Sequence, residues 1–258
     1  MIKAIFLDFD STLYSHTTKQ IPPSTIEGLN LASQKGIKIF LCTGRAKSEL
    51  RYFDFSKLHL DGVIACNGQI IFDNKNQIIF DSPVKGILKD KLIELYDNKD
   101  FPVYLCLANK LILSFSTPRI EQAQKAIGSR MPSIEEYNNQ DFYMACVMLN
   151  DNDDASVINS LKEYGDITYW AGAGAVDVVP KNVSKAKGID ETLRLFNIDI
   201  SETMSFGDGH NDIDMLKHTQ IGIAMGNSSE EIKQIADYIT DDIDEDGLYN
   251  ALKHYGLI

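Results

Sequence analysis

The chain is poor in the features that mark several protein classes. Its 258 residues include four cysteines, Cys42, Cys66, Cys106 and Cys146, widely scattered and without a C-x-x-C pair. That pattern argues against a disulfide framework or a structural zinc site. Positive charge is scarce: 25 Lys+Arg stand against 37 Asp+Glu, a net charge of −12. Such a field repels nucleic-acid phosphates and anionic lipid, so neither nucleic acid nor a membrane is expected as a partner. No run approaches the roughly 20 apolar residues that cross a bilayer. The N-terminal apolar stretch is too short for a signal sequence and runs into acid at Asp8. A cytoplasmic protein is expected.

What is present is an ordinary core-forming composition, 44% hydrophobic and 24% charged. Apolar runs at Lys3–Asp8, Ile37–Cys42 and Asp61–Cys66 read as strands, and Pro23–Lys35 as an amphipathic helix stopped at Gly36. Fully apolar strands alternating with helices predict a parallel sheet covered on both faces. The middle changes character. A hairpin (Ile70–Phe72, Ile78–Phe80) precedes helices at Val84–Asp97, Arg119–Ser129 and Asp153–Tyr164, interleaved with strands at Val103–Leu107, Leu111–Phe115, Phe142–Leu149, Ile167–Trp170 and Ala175–Val179. Strand–helix alternation returns after Lys185. The predicted fold is α/β, a Rossmann-like parallel-sheet core made of residues 1–81 and 181–258, with an α+β module inserted at 82–180.

The chemistry concentrates at strand ends. Asp8 and Asp10 close the first strand, where ligands of open α/β sheets bind. Two such carboxylates repel unless a cation, a proton or N–H donors compensate; alone, they also read as turn formers. Gly207-Asp208-Gly209-His210-Asn211-Asp212 follows an apolar strand and opens a helix near Ile213. Helix capping accounts for one of those Asp/Asn residues and poorly for the whole cluster. Hard oxygens from Asp8, Asp10 and Asp208 suit Mg²⁺. Thr43-Gly44-Arg45 offers a hydroxyl and backbone N–H groups to phosphate oxygens. Lys185 opens a helix, where a cation opposes the dipole unless it neutralises an anion; a solvated surface lysine is the plainer reading.

These four segments, in this order and with a large insertion between the second and third, resemble the motifs of the haloacid dehalogenase-like hydrolase superfamily, in its Cof-type, type IIB branch with a C2 cap. The likeness extends to Cys66-Asn67-Gly68-Gln69, to Ala224-Met225-Gly226-Asn227-Ser228 and to Asp246-Gly247. It implies a Mg²⁺-dependent phosphatase of small phosphorylated metabolites, with the cap setting specificity. By the same resemblance Asp8 is the nucleophile and Asp10 the general acid and base. Thr43, Gly44, Lys185 and Asn211 hold the phosphoryl group. Asp8, Asp208 and the main-chain carbonyl of Asp10 bind the metal, and Asp212 supports from behind. A monomer or weak homodimer is expected. Two departures stand out: Ser11 and Ala186 occupy positions where the family usually has glycine. A left-handed backbone at Ser11 would strain it by about 1–2 kcal/mol.

A phosphomutase of the same superfamily, or a weakly catalytic ligand sensor, would share many of these residues. His210 reads as an exposed loop histidine rather than a Mg²⁺ ligand, and Cys42 as a buried strand residue rather than a nucleophile. Trp170 reads as core, Gly172-Ala173-Gly174 as a hairpin turn, and the acidic run Asp241–Asp246 as a solvated loop.

Overall fold

Strands that are apolar along their whole length bury both faces. A computed structural model describes residues 1–126, 130–149, 154–169 and 174–258. The strands, in chain order, are β1 (Ala4–Leu7), β2 (Lys38–Cys42), β3 (Gly62–Ala65), β4 (Ile70–Asp73), β5 (Ile78–Asp81), β6 (Val103–Leu107), β7 (Leu111–Leu113), β8 (Ser133–Ile134), β9 (Phe142–Met148), β10 (Gly165–Tyr169), β11 (Ala175–Pro180), β12 (Thr203–Gly207), β13 (Ile221–Ala224) and β14 (Tyr238–Ile239). They form two sheets within an α/β fold.

The eight-stranded sheet runs β14-β13-β12-β1-β2-β3-β4-β5. From β14 to β3 every neighbouring pair is parallel; the antiparallel β3–β4 pair turns the chain back. On one face, Phe6, Phe40, Cys42 and Ile64 pack against Ile189, Leu193 and Met215, from the helices Lys185–Phe196 and Ile213–His218. Phe6 stacks on Phe40 with ring centroids 5.2 Å apart. Because β1 lies between β2 and β12, residues from both ends of the chain meet at one sheet edge.

The six-stranded sheet runs β10-β11-β9-β6-β7-β8, antiparallel apart from the β7–β8 pair. Alternation along β6 and β9 explains its two cores. Val103, Leu105, Ala145 and Val147 meet Leu88, Leu92, Ile158 and Leu161 of the helices Gly86–Asn98 and Asp154–Lys162. Tyr104, Cys146 and Met148 face the other way, with Ile120 of the helix Pro118–Ala126.

The chain divides into two compact units: residues 1–44, 53–80 and 184–258, and residues 45–52 and 81–183. The second unit includes Arg45–Tyr52 and extends to Val183. A short helix, Lys47–Leu50, gives that segment its form. Trp170, Gly172 and Ala173, and the expected ends of two helices at Ser129 and Asp153, lie outside the described residues. Among the described residues no helix is long and apolar enough to cross a membrane.

Candidate active site

The first unit gathers its acids at the carboxyl ends of β1 and β12. Asp8 directly follows β1, and its N–H donates to Phe206 of β12 at 3.0 Å, so the strand pairing itself fixes the nucleophile candidate. Lys185 is the first residue of its helix and is 1% exposed, which overturns the surface-lysine reading. Its ammonium donates to Asp8 Oδ1, and to Asp212 Oδ1 at 2.6 Å. Burial alone would push that ammonium down. The carboxylates of Asp212 and Asp8 outweigh it and hold the ammonium above lysine's ordinary range.

The loop after β12 is closed by Asp212. Its Oδ2 accepts the N–H groups of Asp208 at 3.0 Å and Gly209 at 2.9 Å. Thus Asp212 does not cap the helix it precedes; it folds the loop backward and braces Lys185. Gly207 makes room for this, since a β-carbon there would lie 2.5 Å from that of Asp212. Thr12, a residue the sequence reading passed over, donates its hydroxyl to Asp208 Oδ1 at 2.7 Å and ties the two loops together.

One carboxylate oxygen from each of Asp8, Asp208 and Asp212 lies within 4.8 Å of the others. Burial, and then the charge of Asp212, raises the Asp8 carboxyl well above its usual range and pushes Asp208 up to about 7. Three carboxylates against one ammonium leave a deficit of positive charge that a hard divalent cation would fill. The donor chemistry therefore fits Mg²⁺. Both oxygens of Asp212 are already engaged, which suits a supporting position rather than a ligand's.

Asp10 is not in that trio. Its side chain remains 38% exposed, and its Oδ1 accepts a 2.7 Å hydrogen bond from His16 Nε2. His16 gave no motif signal. Ser11 has φ +60°, so the left-handed strain foreseen as a condition is present. The turn is held regardless: Ser11 N–H donates to Tyr14 O at 2.9 Å, and Asn227 Nδ2 donates to Ser11 O at 2.9 Å. Asn227 Oδ1 in turn accepts the N–H of buried Ile243 at 3.1 Å, so part of the acidic run is a brace rather than a solvated loop. Ala186 sits half-buried in a helix, where glycine is not required.

Thr43 and Gly44 follow β2. The Thr43 N–H is committed to Ile64 O at 2.9 Å, so that donor is not offered to phosphate oxygens. Asn67 links this turn to the acid loop: its N–H donates to Thr43 O at 3.1 Å, and its Oδ1 accepts Asn211 Nδ2 at 3.4 Å. Asn67 lies in a run of left-handed residues, Cys66, Asn67 and Gly68. At Gly68 (φ +103°) a β-carbon would sit 2.4 Å from Ser184 O, so glycine alone lets the Lys185 helix start there. Cys42 is buried and burial pushes its thiol up, which removes it as a nucleophile. His210 is exposed, 3.9 Å from Glu231.

A family model described as haloacid dehalogenase-like hydrolase matches residues 5–252. The structure of the subclass IIB sugar phosphatase BT4131 superposes with a TM-score of 0.88 at 34% identity, covering 99% of this chain and 100% of that one. YkrA of Bacillus subtilis (strain 168), classed with the phosphatases, is 29% identical over 99% of this chain and 98% of its own. The pyridoxal phosphate phosphatase YbhA of Escherichia coli (strain K12) is 24% identical over 95% of this chain and 96% of its own.

Proposed function

The chain belongs to the haloacid dehalogenase-like hydrolases and is a phosphatase; on that premise we propose that it depends on Mg²⁺ and hydrolyses small phosphomonoesters, sugar phosphates first among them. The observation that carries the proposal is the buried Asp8–Lys185–Asp212 chain with Asp208 beside it. The buried ammonium orients the Asp8 carboxyl and offsets part of the burial and repulsion that raise it, and the added charge of Mg²⁺ would favour the ionised form that a carboxylate nucleophile requires. Asp8 and Asp208, with the Asp10 carbonyl, would hold the Mg²⁺, which when bound offsets the negative charge shared by carboxylates and phosphoryl group.

The protein's own groups then divide the work. An Asp8 oxygen attacks phosphorus, the bond to the leaving oxygen breaks, and that oxygen takes the proton carried by Asp10. A water then attacks the phosphorus of the aspartyl-phosphate and gives its proton to Asp10. The bond to Asp8 breaks and phosphate leaves. Lys185 balances charge beside Asp8 throughout. The Thr43 hydroxyl, the Gly44 N–H and Asn211 orient the phosphoryl oxygens. The second unit, residues 82–180 in the sequence reading, supplies substrate selectivity. The similar proteins carry names with different substrates, a sugar phosphate and pyridoxal phosphate, so the shared fold does not choose among them.

The test is phosphate release from a panel of sugar phosphates, nucleotides and pyridoxal phosphate, with Mg²⁺ and with EDTA. Release that needs Mg²⁺ and vanishes in Asp8→Asn is expected, because an amide cannot form the acyl phosphate. Full activity in EDTA would remove the metal, and full activity in Asp8→Asn would remove the covalent route.

A further inference from the structure

We propose that His16 is a positioning residue for the reaction: it holds the Asp10 carboxyl group in the orientation that proton transfer needs. The proposal rests on the assignment of Asp10 as the acid and base. Asp10 follows β1 by three residues and has more than a third of its side chain in solvent. A carboxyl group with that exposure is not aimed by close packing on every side, so a polar contact can set its direction. Proton transfer requires it within about 2.6–3.2 Å of the leaving oxygen. The 2.7 Å bond from His16 Nε2 to Asp10 Oδ1 selects one orientation.

The imidazole can do this because it is itself held, by contacts independent of Asp10. Tyr14 meets the His16 ring edge-on at 5.3 Å between centroids. Tyr14 stacks on Phe9 at 5.4 Å and meets Phe53 edge-on at 4.7 Å, and Phe9 is fully buried. The backbone brings the two partners together before any side chain acts. Leu13 and Tyr14 donate their N–H groups to Phe9 O at 3.0 and 2.8 Å, and the left-handed Ser11 lets residue 10 bridge to residue 14. Beyond it, Ser15 N–H donates to Gln20 O at 3.0 Å and Ser15 Oγ accepts Thr18 N–H at 3.1 Å, which fixes the chain on His16's far side. An aromatic stack rooted in buried Phe9, the left-handed Ser11 turn and a second tight turn thus set the imidazole against Asp10 in one orientation.

His16→Ala, His16→Gln and Asp10→Asn are compared on two probes in Mg²⁺. Nitrophenyl phosphate has an acidic leaving group, whereas phenyl phosphate leaves as a phenol of pKa ~10 and needs its proton. His16→Ala should lower kcat on phenyl phosphate by up to about 100-fold, the scale of a small misplacement. KM should stay near its starting value, and the loss on nitrophenyl phosphate should be several-fold smaller. His16→Gln, which keeps an N–H donor, should recover most of the loss. Asp10→Asn should show the same leaving-group pattern more strongly. Equal losses on both esters in His16→Ala, a change in KM alone, or no recovery in His16→Gln would overturn the role of His16 while the Asp10 pattern stands. If Asp10→Asn itself fails to discriminate between the esters, the acid assignment falls and takes this proposal with it.

Discussion

Two loops leave neighbouring parallel strands at the same sheet edge, and they solve the problem of placing acids in opposite ways. The loop after β12 is built from glycine and backbone donors. Gly207 admits the Asp212 side chain, and the N–H groups of Asp208 and Gly209 hold it. The loop after β1 accepts a left-handed serine and is closed by its own backbone, aromatic rings and a histidine. The first arrangement immobilises charge in a dry place; the second keeps a carboxyl group near water while fixing its direction. Asp8 and Asp10, two residues apart, thereby acquire different surroundings. A nucleophile gains from burial beside an ammonium, and a group that must exchange protons gains from solvent.

The largest break in this contrast comes from removing the ammonium that the two loops share. Lys185→Met leaves Asp8 and Asp212 buried without their cation, and losing one partner of a buried pair costs about 3–5 kcal/mol. Urea unfolding of the metal-free protein should report that loss, and phosphate release should disappear with it. An unfolding midpoint equal to the parent's would mean the buried pair contributes nothing.

Next is the metal and its pH dependence. Asp208 moves from aspartate's ordinary 3.8 to about 7 on folding, through burial and Asp212, and Asp8 moves in the same direction. Between those values the folded state binds more protons than the unfolded state, so metal-free stability should fall as pH rises from about 4 to 7. Mg²⁺ at about 100 times its Kd should return about 2.7 kcal/mol at pH 7.5, and much less at pH 5, where the acids hold protons. Calorimetry at both pH values, with Mg²⁺ and with EDTA, checks the sign.

Two further substitutions should move the loops in opposite directions. Gly207→Ala places a β-carbon against Asp212 and should destabilise by about 1–3 kcal/mol, as overpacking does. It should also weaken Mg²⁺ binding by displacing the Asp208 N–H contact. Ser11→Gly, the smallest effect, relieves left-handed strain of about 1–2 kcal/mol while adding unfolded-state freedom of roughly 0.5–1 kcal/mol. A net gain of about 0.5–1 kcal/mol with little change in kcat is expected. A loss of stability there would show that the serine hydroxyl supports the turn.

The sequence revealed the parts with a long or repeated signal. β1, β3 and all of β2 after Lys38 are apolar runs, and covering both faces of such strands leaves few architectures. β8 and β14, two residues each, and the helix Lys47–Leu50 are too short to carry a pattern. Asp8, Asp208 and Lys185 could be picked out because their types are unusual where they stand: acids after apolar strands, a lysine at a helix start. His16 could not, because nothing in its spacing links it to Asp10; only the Ser11 turn does. Thr12 was adjacent to the acids, yet a threonine in a turn has many ordinary reasons to be there. Asn227 shows the limit from the other side. Its amide joins the Ser11 carbonyl to the Ile243 N–H across more than two hundred residues of sequence on one side and sixteen on the other.

The interleaving of β12 beside β1 also sets an order of events during synthesis. Asp8 and Lys185 are 177 positions apart, and Thr12 and Asp208 are 196. When residue 81 leaves the ribosome, β1 to β5 can pair, but β1 has an open edge and Asp8 has no cation. The whole of residues 81–183 is made before the partner strand arrives. Loop closure over that distance is slow compared with local pairing, and an unpaired apolar edge is open to aggregation while it waits. The acid cluster therefore cannot be complete in the nascent chain until the segment from Lys185 to Asp212 has been made and β12 has paired with β1.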